Sequence, residues 1–260
     1  MSELSPALQE HLSQLKGQAG FAAKHLGSGQ QIVYGERRFL AASTIKLPLL
    51  AVFLADWEAG RIPPDPLPFD RNQLVEDSPA MEPLPQGTPV TWLELARWMM
   101  VVSDNTATNL VIEQVGFEAV RHWLDRCQLP HTQLNRRMVD LDARARGVDN
   151  WTTPGEMLIL LEALVSHHVP DLSPQGCRLL LDILQQCQDL EKIPFHFRPP
   201  VRVANKPGEL PGTRSDVGYV YDGQHRVVMS LFTDQLEDDL AADLWLAELA
   251  QLLWQELTGG

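Results

Sequence analysis

The chain has 260 residues, 44% hydrophobic and 21% charged, enough for one sizeable core or two lobes sharing a site. Its formal net charge of −13 argues against a nucleic-acid binder, which needs a clustered basic face, and against attachment to anionic membrane. No apolar run is long enough to span a bilayer.

Ser5-Pro6 opens a first helix, a cap residue followed by Pro at the first helical position. Leu8, Leu12 and Leu15 recur at helical spacing until Gly17. Gly20 to Leu26 and Gln30 to Tyr34 read as strands joined by the turn Gly27-Ser28-Gly29. A helical pattern runs from Thr44 to about Ala59, and a loop rich in Pro and Asp follows from Arg61 to Pro89. Helices are expected at Trp92–Val101, Thr106–Val115 and Phe117–Cys127. Leu134 to Thr153 is polar and weakly periodic, a long irregular loop of the kind that is usually functional. Two further helices fit Pro154–Ser166 and Pro174–Gln188. Strands then return at Val201–Asn205, Asp216–Tyr221 and Arg226–Thr233, the last two joined by the hairpin signal Asp222-Gly223. Asp238 to Leu257 closes the chain as a helix with Leu246, Ala250, Leu253 and Leu257 on one stripe.

This order predicts a mixed α/β (α+β) fold in one catalytic domain over residues 1–260. A five-stranded antiparallel sheet is built from both ends of the chain and flanked by the terminal helices. The sheet lobe takes about 1–42 and 195–260, and an inserted all-helical lobe takes about 43–194. An active site is expected where the lobes meet.

Cysteines stand at Cys127, Cys177 and Cys187, an odd number without C-x-x-C spacing, so neither a disulfide framework nor zinc is expected. The only adjacent histidines, His167–His168, lack an HExxH context. No metal or other cofactor is expected. The N-terminus lacks the basic and apolar regions of a signal peptide. A cytoplasmic protein is expected if that N-terminus is native, and a periplasmic or secreted one if a signal has been removed. No coiled-coil heptad appears, so a monomer is the default.

Ser43-Thr44-Ile45-Lys46 is an S-x-x-K. At a helix start the two side chains share a face, so the Lys amine can help remove the Ser proton. The helix N-terminus favours the resulting negative charge. A second match, Ser13-x-x-Lys16, falls late in the first helix and reads as solvated surface. Ser103-Asp104-Asn105 lies between two helical runs. It serves equally as a cap cluster or as a second hydroxyl and an amide for catalysis. Lys206-Pro207-Gly208 ends a strand, where Lys raises the local potential and Gly permits close approach of a substrate backbone.

In this order and context the three elements resemble the signature of class A β-lactamases and penicillin-binding enzymes, with Pro in place of the usual Thr in the third. AASTIKLPLLA is similar to the family's nucleophile helix and MMVVSDNTATNLVI to its S-D-N helix pair. DNWTTPGEM is similar to the close of its Ω-loop and GTRSDVGYVY to the strand carrying a substrate-binding Arg. The likeness runs over roughly residues 20 to 257. It implies a serine hydrolase whose substrate is a small β-lactam or a peptide-like amide.

By that resemblance Ser43 is the acylated nucleophile and Lys46 its general base, or part of the relay that deprotonates it. Ser103 and Lys206 pass the proton to the leaving nitrogen, and Asn105 positions the substrate carbonyl. The N–H groups of Ser43 and Glu209 form the oxyanion hole, with Gly208 allowing close approach. Arg214, with Lys206, supplies charge for a substrate carboxylate. The sequence also departs from the family. Met138 falls where the Ω-loop Glu should activate the hydrolytic water; either Asp142, or secondarily Asp140, supplies a carboxylate instead, or Asp142 is a structural residue that ties down the charged loop. Arg136 is expected to brace the loop through Asp149 or Asn150. Asp77 replaces an aromatic wall residue, which repels anions or attracts an amine. Pro207 lacks the hydroxyl that holds a substrate carboxylate. Pro48 requires a locally bent first turn. The leading expectation is a β-lactamase, EC 3.5.2.6 in type. The alternatives are a D-amino-acid peptidase, esterase or transacylase, and a β-lactam sensor or sequestering protein that stays acylated.

Overall fold

The computed structural model describes residues 4–259. Helix α1 (Pro6–Ser13) starts at the expected cap, with Ser5 Oγ accepting from Leu8 N. Strands β1 (Gln18–His25) and β2 (Gln31–Tyr34) form the expected hairpin. A two-residue strand β3 (Phe39–Leu40) leads into a 3-10 turn, Ala42–Ile45, and then helix α2 (Lys46–Glu58). The 3-10 turn explains how the chain tolerates Pro48. Regular helix begins at Lys46, so Pro48 lies in the first turn, where N–H groups have no intrahelical partner.

The Pro-rich loop carries one short ladder, β4 (Leu67–Pro68) with β5 (Pro89–Val90). Helices α3 (Trp92–Val101), α4 (Asn105–Val115) and α5 (Phe117–Arg126) follow. The loop read as irregular contains a short helix, α6 (Leu141–Ala145), and ends in β6 (Trp151–Thr152), which pairs with β3. Helices α7 (Pro154–Val165) and α8 (Pro174–Leu184) both start with Pro after a hydroxyl cap, Thr153 and Ser173.

Three long strands complete the sheet: β7 (Arg202–Leu210), β8 (Thr213–Tyr221) and β9 (Arg226–Asp234). Helix α9 (Asp239–Thr258) ends the chain. The five strands run antiparallel in the order β2-β1-β9-β8-β7, so the first and last parts of the chain meet in one β1–β9 ladder. This is the expected fold class.

Strand β7 extends beyond the expected end at Asn205, and Lys206-Pro207-Gly208 lies within it. Pro207 is tolerated because β7 is an edge strand, where one missing donor does not break a central ladder. The β7–β8 connection is a two-residue turn, Pro211-Gly212, with Gly212 at φ +70°.

The sheet is covered on both faces. Leu8 of α1 and Trp245, Leu246, Leu249, Leu253 and Leu257 of α9 pack on Phe21, Ala23, Val220, Met229 and Leu231. The opposite residues Ala22, Val217, Val228 and Phe232 join the larger core around α2 and α7. Every residue of α2 from Lys46 to Ala55 is buried, which fits its nearly all-apolar sequence. No helix among the described residues is long and apolar enough to cross a membrane.

Candidate active site

A cleft of about 790 Å³ opens between the edge strand β7 and the starts of α2 and α4. Ser43, Asp77, Ser103, Asn105, Lys206, Pro207 and Glu209 are among its lining residues. The three sequence elements, more than 150 residues apart at their extremes, therefore converge.

Their geometry is specific. Lys46 Nζ lies 2.7 Å from Ser103 O, 2.9 Å from Asn105 Oδ1 and 3.1 Å from Ser103 Oγ. Lys206 Nζ lies 3.1 Å from the same Ser103 Oγ and donates to Pro207 O at 2.9 Å. Both amines are fully buried. Burial, and then the neighbouring Lys206 charge, holds Lys46 well below the usual lysine pKa; Asp104 and Asp77 oppose this less strongly. Burial lowers Lys206 as well. A neutral Lys46 has two N–H donors, matched by Ser103 O and Asn105 Oδ1. Its lone pair remains for a hydroxyl proton.

Ser43 is half-buried at the cleft, and its hydroxyl makes no side-chain hydrogen bond among the described residues. Its backbone lies against Gly208, where a Cβ would fall 3.1 Å from Ser43 N and 2.7 Å from Ser215 Oγ. Glycine is needed there to keep the strand against the nucleophile turn. The backbone around the cleft is strained. Ala42, Asp77 and Ser103 adopt φ of +45°, +55° and +57°, a region non-glycine residues rarely occupy and one that clusters at functional sites.

Asp104 holds this loop in place. Its carboxylate, fully buried, accepts from Ala80 N, Met81 N and Ala107 N, the last as N-cap of α4. Thr106 Oγ1 accepts from Val75 N and lies 2.7 Å from Ser78 Oγ, while Asn105 N donates to Asp77 O. The sequence showed Asp104 only as one cap residue among three. Its role in joining two segments was not visible. Asn105 also has its Nδ2 engaged, on Glu76 O at 3.2 Å.

The Ω-loop is braced as expected. Arg136 pairs with Asp149 in a buried contact, Nε to Oδ1 at 2.9 Å, and its backbone N donates to Asn150 Oδ1. Asn150 O accepts from Ala41 N, fixing the loop to the nucleophile turn. Met138 is held by reciprocal bonds between its backbone and the Asn109 amide, with its side chain in the core.

Three expected residues, Asp142, Asp140 and Arg214, are not brought to the cleft. Asp142 stands exposed in the first turn of α6, without a bond to Ser43, Lys46 or Ser103, and it is not among the cleft-lining residues. Asp140 caps α6, accepting from Ala143 N. Arg214 points elsewhere for a reason of register. Gly208 and Ser215 are partners on the cleft side, so the next residue, Arg214, turns to the face that α9 covers. There it meets Asp239 and Asp243 at 3.4 and 3.3 Å.

The same corner holds a group the sequence reading missed. The fully buried Lys192 amine contacts Glu209 at 2.5 Å, Asp189 at 3.2 Å and Asp243 at 3.3 Å. Burial opposes its charge, but Asp189, Glu209 and Asp243 together raise its pKa. Among the described residues no group of three or more His, Cys, Asp and Glu is placed to hold a metal.

The five-stranded antiparallel sheet and its covering helices match the architecture of class A β-lactamases. An ancestral class A β-lactamase superposes with a TM-score of 0.89 at 27% identity, over 98% of this chain and all of that one (100%). The β-lactamase of Sphaerobacter thermophilus shares the fold at a TM-score of 0.88, 24% identity and coverage of 100% and 99%. The chain belongs to the β-lactamase enzyme family, whose model matches residues 3–257. A β-lactamase of Rhodobacter capsulatus is 33% identical over 180 residues, which take in 68% of this chain and 59% of that protein's length.

Proposed function

We propose that the protein is a serine hydrolase that forms an acyl-enzyme on Ser43 and opens β-lactam or related amide bonds. The observation that carries this reading is the sharing of Ser103 Oγ by the amines of Lys46 and Lys206 beside a cleft-lining serine. Neutral Lys46 takes the Ser43 proton, directly or through Ser103, as Ser43 Oγ bonds to the acyl carbon. The N–H groups of Ser43 and Glu209 receive the oxyanion. As the carbon–nitrogen bond breaks, Ser103 gives its proton to the leaving nitrogen. Lys46 then returns one to Ser103, and Lys206 stabilises the charge in transit. Asn105 orients both Lys46 and the acyl carbonyl. Water completes turnover, releasing the acid and restoring Ser43.

A second reading has its own support. With Met138 in the core and Asp142 exposed, the Ω-loop brings no carboxylate to the cleft, which favours a protein that is acylated by β-lactams and remains so. A peptidase, esterase or transacylase uses the same first step on another acyl donor. Incubation with benzylpenicillin and a chromogenic cephalosporin, following intact mass and turnover together, separates the three. Adduct with turnover supports the lactamase and a persistent adduct the sensor. Absence of both points to another acyl donor.

A further inference from the structure

The cleft's charge is opposite to what a carboxylate-bearing β-lactam needs. Its lining includes five acidic residues, Asp77, Glu82, Asp189, Glu191 and Glu209, against one basic residue, Lys206; the other site lysine, Lys46, is not among the lining residues. Both amines are buried and engaged by Ser103, Asn105 and Pro207. The Arg214 guanidinium is committed to Asp239 and Asp243 on the other face. Pro207 offers neither a hydroxyl nor an N–H. Asp77, Glu82 and Glu191 are exposed, and their carboxylates make no hydrogen bond or ion pair among the described residues. Asp189 and Glu209 already share Lys192.

We infer that this cleft takes acyl donors carrying a protonated amine and discriminates against those carrying a carboxylate. The inference rests on the serine-hydrolase reading and names its substrate class. The cleft and Ser43 define where the donor binds; the free carboxylates on its walls decide its charge. They are partly screened by water, so each contributes modestly, but concave walls of one sign add their fields. The net charge of −13 acts in the same direction.

The test uses p-nitrophenyl esters of Nα-acetylated lysine, norleucine and glutamate, in both enantiomers, which share a leaving group and differ in side-chain charge. Acylation of Ser43 is followed by nitrophenol release and intact mass, with Ser43→Ala as control. The lysine ester is expected to acylate about tenfold or more faster than the norleucine ester, and the glutamate ester more slowly than either. Raising salt from about 0.02 M to about 0.5 M is expected to shrink the lysine preference severalfold. The variant Asp77→Asn/Glu82→Gln/Glu191→Gln, altering exposed side chains, is expected to bring the lysine-to-norleucine ratio to within about threefold of unity. Equal rates, a glutamate preference, or a lysine preference that survives in the triple variant overturns the inference while leaving the hydrolase reading intact. If no ester labels Ser43, the hydrolase reading itself falls, and the substrate class with it.

Discussion

Lys46 and Lys206 place their amines on one oxygen, each 3.1 Å from Ser103 Oγ. Two buried lysines on one hydroxyl are sustainable only if at least one is neutral. Burial and the neighbouring Lys206 charge hold Lys46 well below the usual 10.5, which favours its neutral form. The proposed acylation chemistry follows from this pairing.

The rate of Ser43 acylation is therefore expected to rise with pH as Lys46 loses its proton, and to level off well below pH 10.5. Lys46→Arg fixes a positive charge there and cannot take a proton, and is expected to lose about 10²–10⁴ of the rate and the pH dependence together. Stopped-flow acylation across pH checks both. A rate that falls with rising pH over the same range contradicts a neutral Lys46.

Asp104→Ala removes the acceptor of three backbone N–H groups, at Ala80, Met81 and Ala107. Orphaning buried donors costs about 1–3 kcal/mol each when none is rehydrated. A loss of at least about 2 kcal/mol in urea-induced unfolding is expected, with acylation slowed as Ser103 and Asn105 shift. Asp104→Asn keeps an oxygen and should lose less.

Asp216 is fully buried beside Asn205 and the Ile193 N–H, and burial pushes its carboxyl up to about 7. The folded protein thus holds a proton that the unfolded chain releases near 3.8. Its contribution to stability is full below that value and is lost as pH rises toward 7. Asp216→Asn is expected to raise stability at pH 8, on the order of 2 kcal/mol, with the gain disappearing towards pH 4. Thermal melts at both pH values check the sign.

Asp142→Asn is expected to leave deacylation within about twofold, because the exposed carboxylate reaches none of the catalytic side chains. Met138→Glu puts a carboxylate at the family's position and is expected to shorten adduct lifetime by about tenfold or more if the core admits it. Pulse labelling with penicillin followed by timed mass spectra measures both. A large effect of Asp142→Asn would show that α6 moves inward on acylation.

The parts legible in the sequence were those carried by short spacings. S-x-x-K spans a single helical turn and S-D-N three consecutive residues at a helix start, and the caps at Ser5, Thr153 and Ser173 are local chemistry. The end of β7 was misread because Lys, Pro and Gly are poor strand formers. Only an edge position with β8 as partner makes them a strand. The direction of Arg214 depends on the β7–β8 register, which one strand's sequence does not contain. The Lys192 group gathers Asp189, Glu209 and Asp243 from three separate segments, with no spacing to reveal it. The short helix α6 was hidden by its length of five residues, too few for a periodic signal.

The central claim is covalent chemistry at one oxygen, and the most direct measurement is peptide mapping after brief exposure to a penicillin or an activated ester. The account predicts an acyl group on the peptide containing Ser43, absent in Ser43→Ala and formed far more slowly in Lys46→Arg. An acyl group on any other residue, or an adduct of equal yield in Ser43→Ala, would contradict it.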